Sequence, residues 1–182
     1  YLPTNSRAPL FPLTLLLIAT IFQTSLNGQD GVVDQTFAPS LERLDGVVYV
    51  ARSQPDGKVV VGGSFQFVNT ATRINLARLN ADGTNDETFN IGEGPDRQVY
   101  SVAFQPDGKI VVGGLFGRFD GRIAGSIVRP NSDGTVDTAF NCPGTVSPGN
   151  TTYVVSSLIL QPDGKIVAAG NFANFNGQAA ND

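Results

Sequence analysis

The side chains available for chemistry in this sequence are mainly carboxylates. The chain carries 16 Asp and Glu against 12 Lys and Arg, one cysteine (Cys142), and no histidine, methionine or tryptophan. Without histidine, a Ser-His-Asp or Cys-His nucleophile has no base, and the common zinc sites lose a usual ligand. Cys142 sits in a Gly/Pro-rich stretch, residues 141–150, with no imidazole to take its proton. It reads as incidental, or as the partner of a cysteine elsewhere in a longer polypeptide. Paired acids remain, the groups that glycosidases use.

The spacing of the acids argues against catalysis for most of them. Asp30, Asp34, Asp82, Asp86, Asp133 and Asp137 belong to one motif, Asp-Gly-x-x-Asp-x-x-Phe, at 30–37, 82–89 and 133–140, with steps of 52 and 51 residues. Asp56, Asp107 and Asp163 belong to a second, Gln-Pro-Asp-Gly-Lys, at 54–58, 105–109 and 161–165, with steps of 51 and 56. Asp45 corresponds to Asp96, and Asp120 to Asn69 and Asn176. A catalytic pair should break a repeat, whereas turn geometry is needed in every copy. Asp and Asn supply it by bonding their own backbone. Glu42, Glu87, Glu93 and Asp182 fall outside the scheme. Glu42 and Glu93, on connections between copies, are the acids to change first if the chain is a carbohydrate-active enzyme. No catalytic, cofactor-binding or metal-binding residue is assigned, and no cofactor is expected.

Calcium is the sharper alternative. Asn80 to Asp86 (N-A-D-G-T-N-D) and Asn131 to Asp137 (N-S-D-G-T-V-D) place oxygens at alternating positions around a glycine. Calcium loops do so because the ion takes 6–8 oxygen ligands. Each loop offers only two carboxylates and no distal Glu, so plain turns are the favoured reading. The small pairs Gly62-Gly63, Gly113-Gly114 and Ala169-Gly170 precede no helix and make no phosphate cradle. Phe65, Phe67, Phe116, Phe119, Phe172 and Phe175 recur with the repeat, so they read as packing between units before they read as a sugar platform. Asn150-Thr151-Thr152 is a lone glycosylation sequon, a weak match.

The elements that position these residues can be read from one unit. Strand a covers 47–53, 99–104 and 154–160, short runs rich in β-branched and aromatic residues. Pro-Asp-Gly then turns the chain, proline presetting φ and glycine accepting φ > 0. Strand b begins at Lys58, Lys109 and Lys165 and ends in the small pair, which implies a bulge or the close approach of another backbone. A turn at Asp120-Gly121 or Asn176-Gly177, degenerate at Asn69-Thr70, leads to strand c at 74–80 and 125–131. Pro130 stands where the first copy has Leu79, which should end that strand early or place it at an edge. A short strand d should close each unit at Phe89 or Phe140. No stretch beyond the first 28 residues has sustained helical periodicity.

Four short antiparallel strands in about 50 residues match a propeller blade better than a solenoid coil, which is shorter, or a single sandwich, which needs no repeat. The run V-x-x-x-x-Q-P-D-G-K-I-V-V-G-G-x-F followed by R-L-N-x-D-G-T-x-D-x-x-F resembles the delta-60 repeat, a bacterial propeller-type repeat. The offset from Asp56 to Asp82 equals that from Asp107 to Asp133, and the resemblance spans residues 30–178. It implies an all-β propeller in a large secreted or cell-surface protein. It brings no catalytic residues with it.

The domain reading follows. Residues 1–28 form a signal peptide: Arg7 is its basic end and residues 10–22 its apolar run, too short for a comfortable membrane span of roughly 20 residues. An uncleaved anchor is the alternative. Residues 29–46 supply an outer strand of the closing blade and a connection. Residues 47–89 are blade 1, 90–140 blade 2, and 141–182 a blade 3 that is cut short. A start at Tyr1 and an end at Asp182 within a repeat are the marks expected of a fragment of an incomplete ring.

The net charge of −4 offers no basic face for nucleic acid, and no membrane contact is expected beyond residues 1–28. The expected function is a non-catalytic exported module, a scaffold or recognition domain for a protein or glycan, with the remaining blades of the same polypeptide as its other partner. Binding should fall on the connections that differ between blades, residues 38–46, 90–98 and 141–153. The alternatives are a carbohydrate-active enzyme with a site at the ring centre and a calcium-stabilised adhesion repeat.

Overall fold

The computed structural model describes residues 45–140 and 153–172, and the backbone of two short strands just beyond them. Among the described residues the regular elements are all strands, in three similar blades. Blade 1 holds β1 (Val47–Ser53), β2 (Val59–Ser64), β3 (Phe67–Val68), β4 (Ala71–Thr72) and β5 (Leu76–Leu79). Blade 2 repeats the order with β6 (Val99–Phe104), β7 (Ile110–Gly114), β8 (Arg118–Phe119), β9 (Arg122–Ile123) and β10 (Ile127–Val128). Blade 3 shows β11 (Val154–Leu160), β12 (Ile166–Asn171), β13 (Asn174–Phe175) and β14 (Gln178–Ala179).

Each blade starts from a hairpin whose turn the sequence dictates. In Gln-Pro-Asp-Gly-Lys the glycine is left-handed, φ +83° at Gly57, +84° at Gly108 and +83° at Gly164. The aspartate Oδ1 accepts the lysine backbone N–H at 3.1 Å in all three copies. The strands that follow pair antiparallel, in the orders β1-β2-β5 and β6-β7-β10, with β11-β12 in blade 3. The predicted turn between strands b and c is itself a small hairpin. In blade 2 its corner has Asp120 at φ 49° and Gly121 at φ 70°, the two positive angles of a type I′ turn.

Strands c and d depart from expectation in extent. Strand b ends on the glycine pair in blade 2, at Gly114, as expected, and runs one residue past it in blade 1, to Ser64. Strand c spans Leu76–Leu79 in blade 1 but only Ile127–Val128 in blade 2. Pro130 has no N–H to extend the ladder, although its carbonyl still accepts from Ile110 at 2.9 Å. Strand d shrinks to one bridged pair per blade, Leu79 with Asn85 and Pro130 with Val136. The expected strand at 30–37 lies outside the described residues.

Apolar residues alternate along strand b, and alternate faces pack on opposite neighbours. Val60 of blade 1 joins Ile110, Val112, Phe116 and Phe119 of blade 2 in one core. Val111 points the other way, to Val155 and Leu158 of blade 3. The recurring phenylalanines are packing residues: Phe65, Phe116 and Phe119 are buried, and Phe172 packs at the edge of the third cluster.

The glycine pair has two separate tasks. A Cβ on Gly63, Gly114 or Gly170 would strike the backbone carbonyl of Val47, Gln98 or Val154 in the same blade. At this point strand a bulges, between Val48 and Val50, Val99 and Ser101, and Val155 and Ser157. The preceding glycine faces the next blade. A Cβ on Gly62 would meet Val99 Cγ1, and one on Gly113 would lie 2.6 Å from Val155 Cγ1.

Candidate functional site

The acids of the repeat are held in the same arrangement in blades 1 and 2. Asp86 is buried at the base of its turn. It accepts Lys58 Nζ at 2.7 Å, Arg78 Nε at 2.7 Å, and the Thr88 hydroxyl and backbone N–H at 2.6 and 3.0 Å. Burial alone would raise its pKa, but the bonds from Lys58, Thr88 and Arg78 outweigh it and hold the carboxyl far below the ordinary range. Asp137 repeats this with Lys109 at 2.7 Å, Arg129 Nη2 at 2.7 Å and the Ala139 N–H at 3.0 Å. The Lys109 bond is the main cause of its pKa falling to about 2, against a smaller opposing effect of burial. Arg78 and Arg129 also lie 4.5 and 4.6 Å over the rings of Phe89 and Phe140.

The turn acids are equally committed. Asp82 and Asp133 accept the hydroxyl and N–H of Thr84 and Thr135, which lowers both carboxyls. The second carboxylate of each Asn-x-Asp-Gly-Thr-x-Asp loop therefore faces a lysine and an arginine. Their positive charge opposes a cation at that point.

Asp45 and Asp96 cap the b–c hairpins. Asp45 Oδ1 accepts the N–H groups of Gln66 and Phe67, both at 2.9 Å, and Asp96 Oδ1 those of Gly117 and Arg118 at 2.9 and 3.0 Å. These caps bring together two of the connections singled out above. The end of one (Asp45) and the end of the next (Asp96, Arg97, Gln98) line a cleft of about 730 Å³ between blades 1 and 2, with Ser64 and Gln66 on its wall. Its floor is fixed by Asn75, buried at φ 59°, which accepts from Phe65 N–H at 3.1 Å and donates to the Pro95 carbonyl at 3.1 Å.

The connection at 90–98 is not a free loop. Ile91 is buried in the core between blades 1 and 2, and Asn90 N–H bonds the Asp133 carbonyl at 2.7 Å. Glu93 is exposed, with its N–H on Asp120 Oδ1 at 3.2 Å. Glu42, Cys142, residues 38–44 and residues 141–152 lie outside the described residues, as does the proposed signal peptide at 1–28.

Sequence reasoning missed one feature. Tyr49 and Tyr100 stand at equivalent positions of β1 and β6, as the extra residue of each strand-a bulge. The bulge turns them out of the blade interface. Their ring centroids lie 5.1 Å apart at 50°, and Tyr49 is 46% exposed. The equivalent residue of β11 is Ser156, whose hydroxyl bonds the Ala169 carbonyl at 3.1 Å. The period alone pairs Tyr49 with Tyr100; their shared orientation depends on the bulge.

Among families, the profile described as a domain of unknown function (DUF5122) beta-propeller matches residues 54–89, 105–140 and 161–182, just over half of the chain. Neither the curated proteins nor the solved structures contain a match.

Proposed function

This chain belongs to the DUF5122 beta-propeller family, and from that premise we propose that it is a non-catalytic recognition or scaffold module of an exported protein. Within the family we read its repeat as the delta-60 type. The observation carrying the proposal is the cleft between blades 1 and 2. Its rim is built where successive connections end, Asp45 on one side and Asp96, Arg97 and Gln98 on the other. Asp82, Asp86, Asp133 and Asp137, by contrast, serve the blades themselves. A rigid frame with polar side chains gathered at a cleft suits reversible binding of a glycan or an extended protein segment. Nucleic acid is not a proposed partner, and neither is a membrane beyond residues 1–28. Further blades of the same repeat are.

A glycan array and a displayed peptide library, each probed with the folded chain, test this. A ligand so found should lose at least tenfold in affinity with Arg97→Ala and Gln98→Ala together, and little with Asp82→Ala. Loss confined to Asp82→Ala would overturn the site. Catalysis is checked by release of reducing ends from polysaccharides. Turnover abolished by Glu42→Gln or Glu93→Gln would replace the binding reading with the enzymatic one. Export is checked by sequencing the N-terminus of secreted protein, expected at Gln29.

A further inference from the structure

Two established interfaces, between blades 1 and 2 and between blades 2 and 3, define what one face of a blade needs from its successor. Val60 and Val111 are both fully buried against the next blade (0% exposed). The third residue of this series, Val167, is 44% exposed, and Ile159 on the neighbouring strand is 61% exposed. Ala103, the counterpart of Ile159 in blade 2, packs into the core shared with blade 3. The open face of β11 and β12 thus continues the two closed ones at Val167, and at Ile159 it follows blade 2 rather than blade 1, where Arg52 stands. It differs from both at one point. Gly62 and Gly113 leave room for Val99 and Val155 of the succeeding inner strand, and a Cβ on either glycine would enter the space of the valine. At the third position the residue is Ala169, which carries that Cβ.

We propose that the face of β11 and β12 seats a further blade of the same repeat whose inner strand presents a residue smaller than valine opposite Ala169. This rests on the reading that further blades of the repeat are partners of the chain. The physical ground is that valine is stiff at χ1 and that a packed interface has no slack for an extra methyl. Alanine opposite a residue smaller than valine offsets the methyl that alanine adds. The pairing therefore acts as a size code for which blade follows which. A blade with valine at that position is admitted by Gly62 and Gly113 and rejected by Ala169.

The test extends the full chain. Copies of residues 127–140 and then 90–140 are joined after Asp182, completing blade 3 and adding a fourth blade. The copied position 99 is made valine or alanine, in the native background and with Ala169→Gly. All four carry Cys142→Ser and Val167→Cys, so that maleimide labelling reports whether the face is covered. Labelling should slow at least tenfold relative to the unextended chain. The alanine version should melt higher than the valine version in the native background, and the order should reverse with Ala169→Gly. Unslowed labelling in all four versions overturns the reading that a blade seats there. Slowed labelling with the same melting order in both backgrounds overturns the size code alone.

Discussion

Lys58 Nζ and Asp86 Oδ2 lie 2.7 Å apart across 28 residues of sequence, and Lys109 and Asp137 repeat both the distance and the separation. The pair joins the two motifs of the repeat: the lysine ends the a–b turn and the aspartate closes the c–d turn. This explains why the motifs keep a constant offset while the connections between blades vary in length. In blade 3, Lys165 instead pairs with Asp163 of its own turn at 2.6 Å.

Asp86→Ala should be among the most damaging single changes in blade 1. It leaves Arg78, buried, without its charge partner, and breaking such a buried pair costs about 3–5 kcal/mol. Lys58→Ala should cost about 1 kcal/mol, because Asp86 keeps Arg78 and Thr88 and the lysine is partly solvated. Thermal melts of both variants check the order; equal losses would show that the lysine is the essential member.

Acid should unfold the protein through these same groups. The carboxyls of Asp86 and Asp137 titrate below their unfolded values, so near the unfolded value the unfolded chain binds more protons than the folded one. Their contribution is complete above the ordinary Asp value of about 4. It is lost as pH falls toward the folded value, about 2 for Asp137. Urea midpoints measured from pH 6 to pH 2 should drop steeply below about pH 4, and Asp137→Asn should lower the plateau and flatten that drop. An unchanged acid limb in Asp137→Asn would exclude this carboxyl as a source.

Arg78 links blades as well as motifs. Its Nη1 donates to the Ser132 carbonyl of blade 2 at 2.6 Å, while Nε holds Asp86. Arg129 holds Asp137, and its Nη1 turns back to Gln105 of its own blade at 3.4 Å. Lysine cannot reproduce a planar fork that serves two acceptors and a ring face. Arg78→Lys should therefore destabilise more than Arg129→Lys, and it should broaden the melting transition as blades 1 and 2 uncouple. Equal effects would place the value of Arg78 inside its own blade.

Calcium should leave the fold unchanged. Lys58 with Arg78, and Lys109 with Arg129, already neutralise the second carboxylate of each loop. A rise in melting temperature with millimolar calcium, absent in Asp82→Ala, would show that the turns take the ion and displace the lysines.

The fold was legible because its signals are local and repeated. Residues 47–53, 99–104 and 154–160 are strands as the pattern of β-branched and aromatic residues demands, and each Pro-Asp-Gly turn follows from proline and glycine geometry. Strand d was overread. Its residues are mostly short and polar, and in the fold they serve the ion pair of Asp86 or Asp137 more than a ladder. The site was less legible. That Asp45 and Asp96 meet at one cleft depends on how blades sit side by side, and that Tyr49 faces Tyr100 depends on a bulge made by glycines of another strand. Neither relation has a short-range signature.

The two glycines of each small pair should respond differently to an added methyl. Gly62→Ala places Cβ against Val99 Cγ1 of blade 2, a side-chain contact that shortening the valine removes. Its cost should be that of ordinary overpacking, about 1–3 kcal/mol, and Val99→Ala in the same chain should recover much of it. Gly63→Ala drives Cβ into the Val47 carbonyl, with Val48 Cα only 2.9 Å away. That obstacle is backbone, and it moves only if the β1 bulge is lost. Removing the bulge would put Val48 and Val50 on one face, whereas they now pack into different clusters on opposite faces. Gly63→Ala should therefore cost more than Gly62→Ala, with no rescue from Val99→Ala, and it should weaken the contact of Tyr49 with Tyr100. Near-ultraviolet circular dichroism of the tyrosines, read beside the thermal melts, checks both. A rescued Gly63→Ala would mean that the blade interface, and not the bulge, sets the need for glycine there.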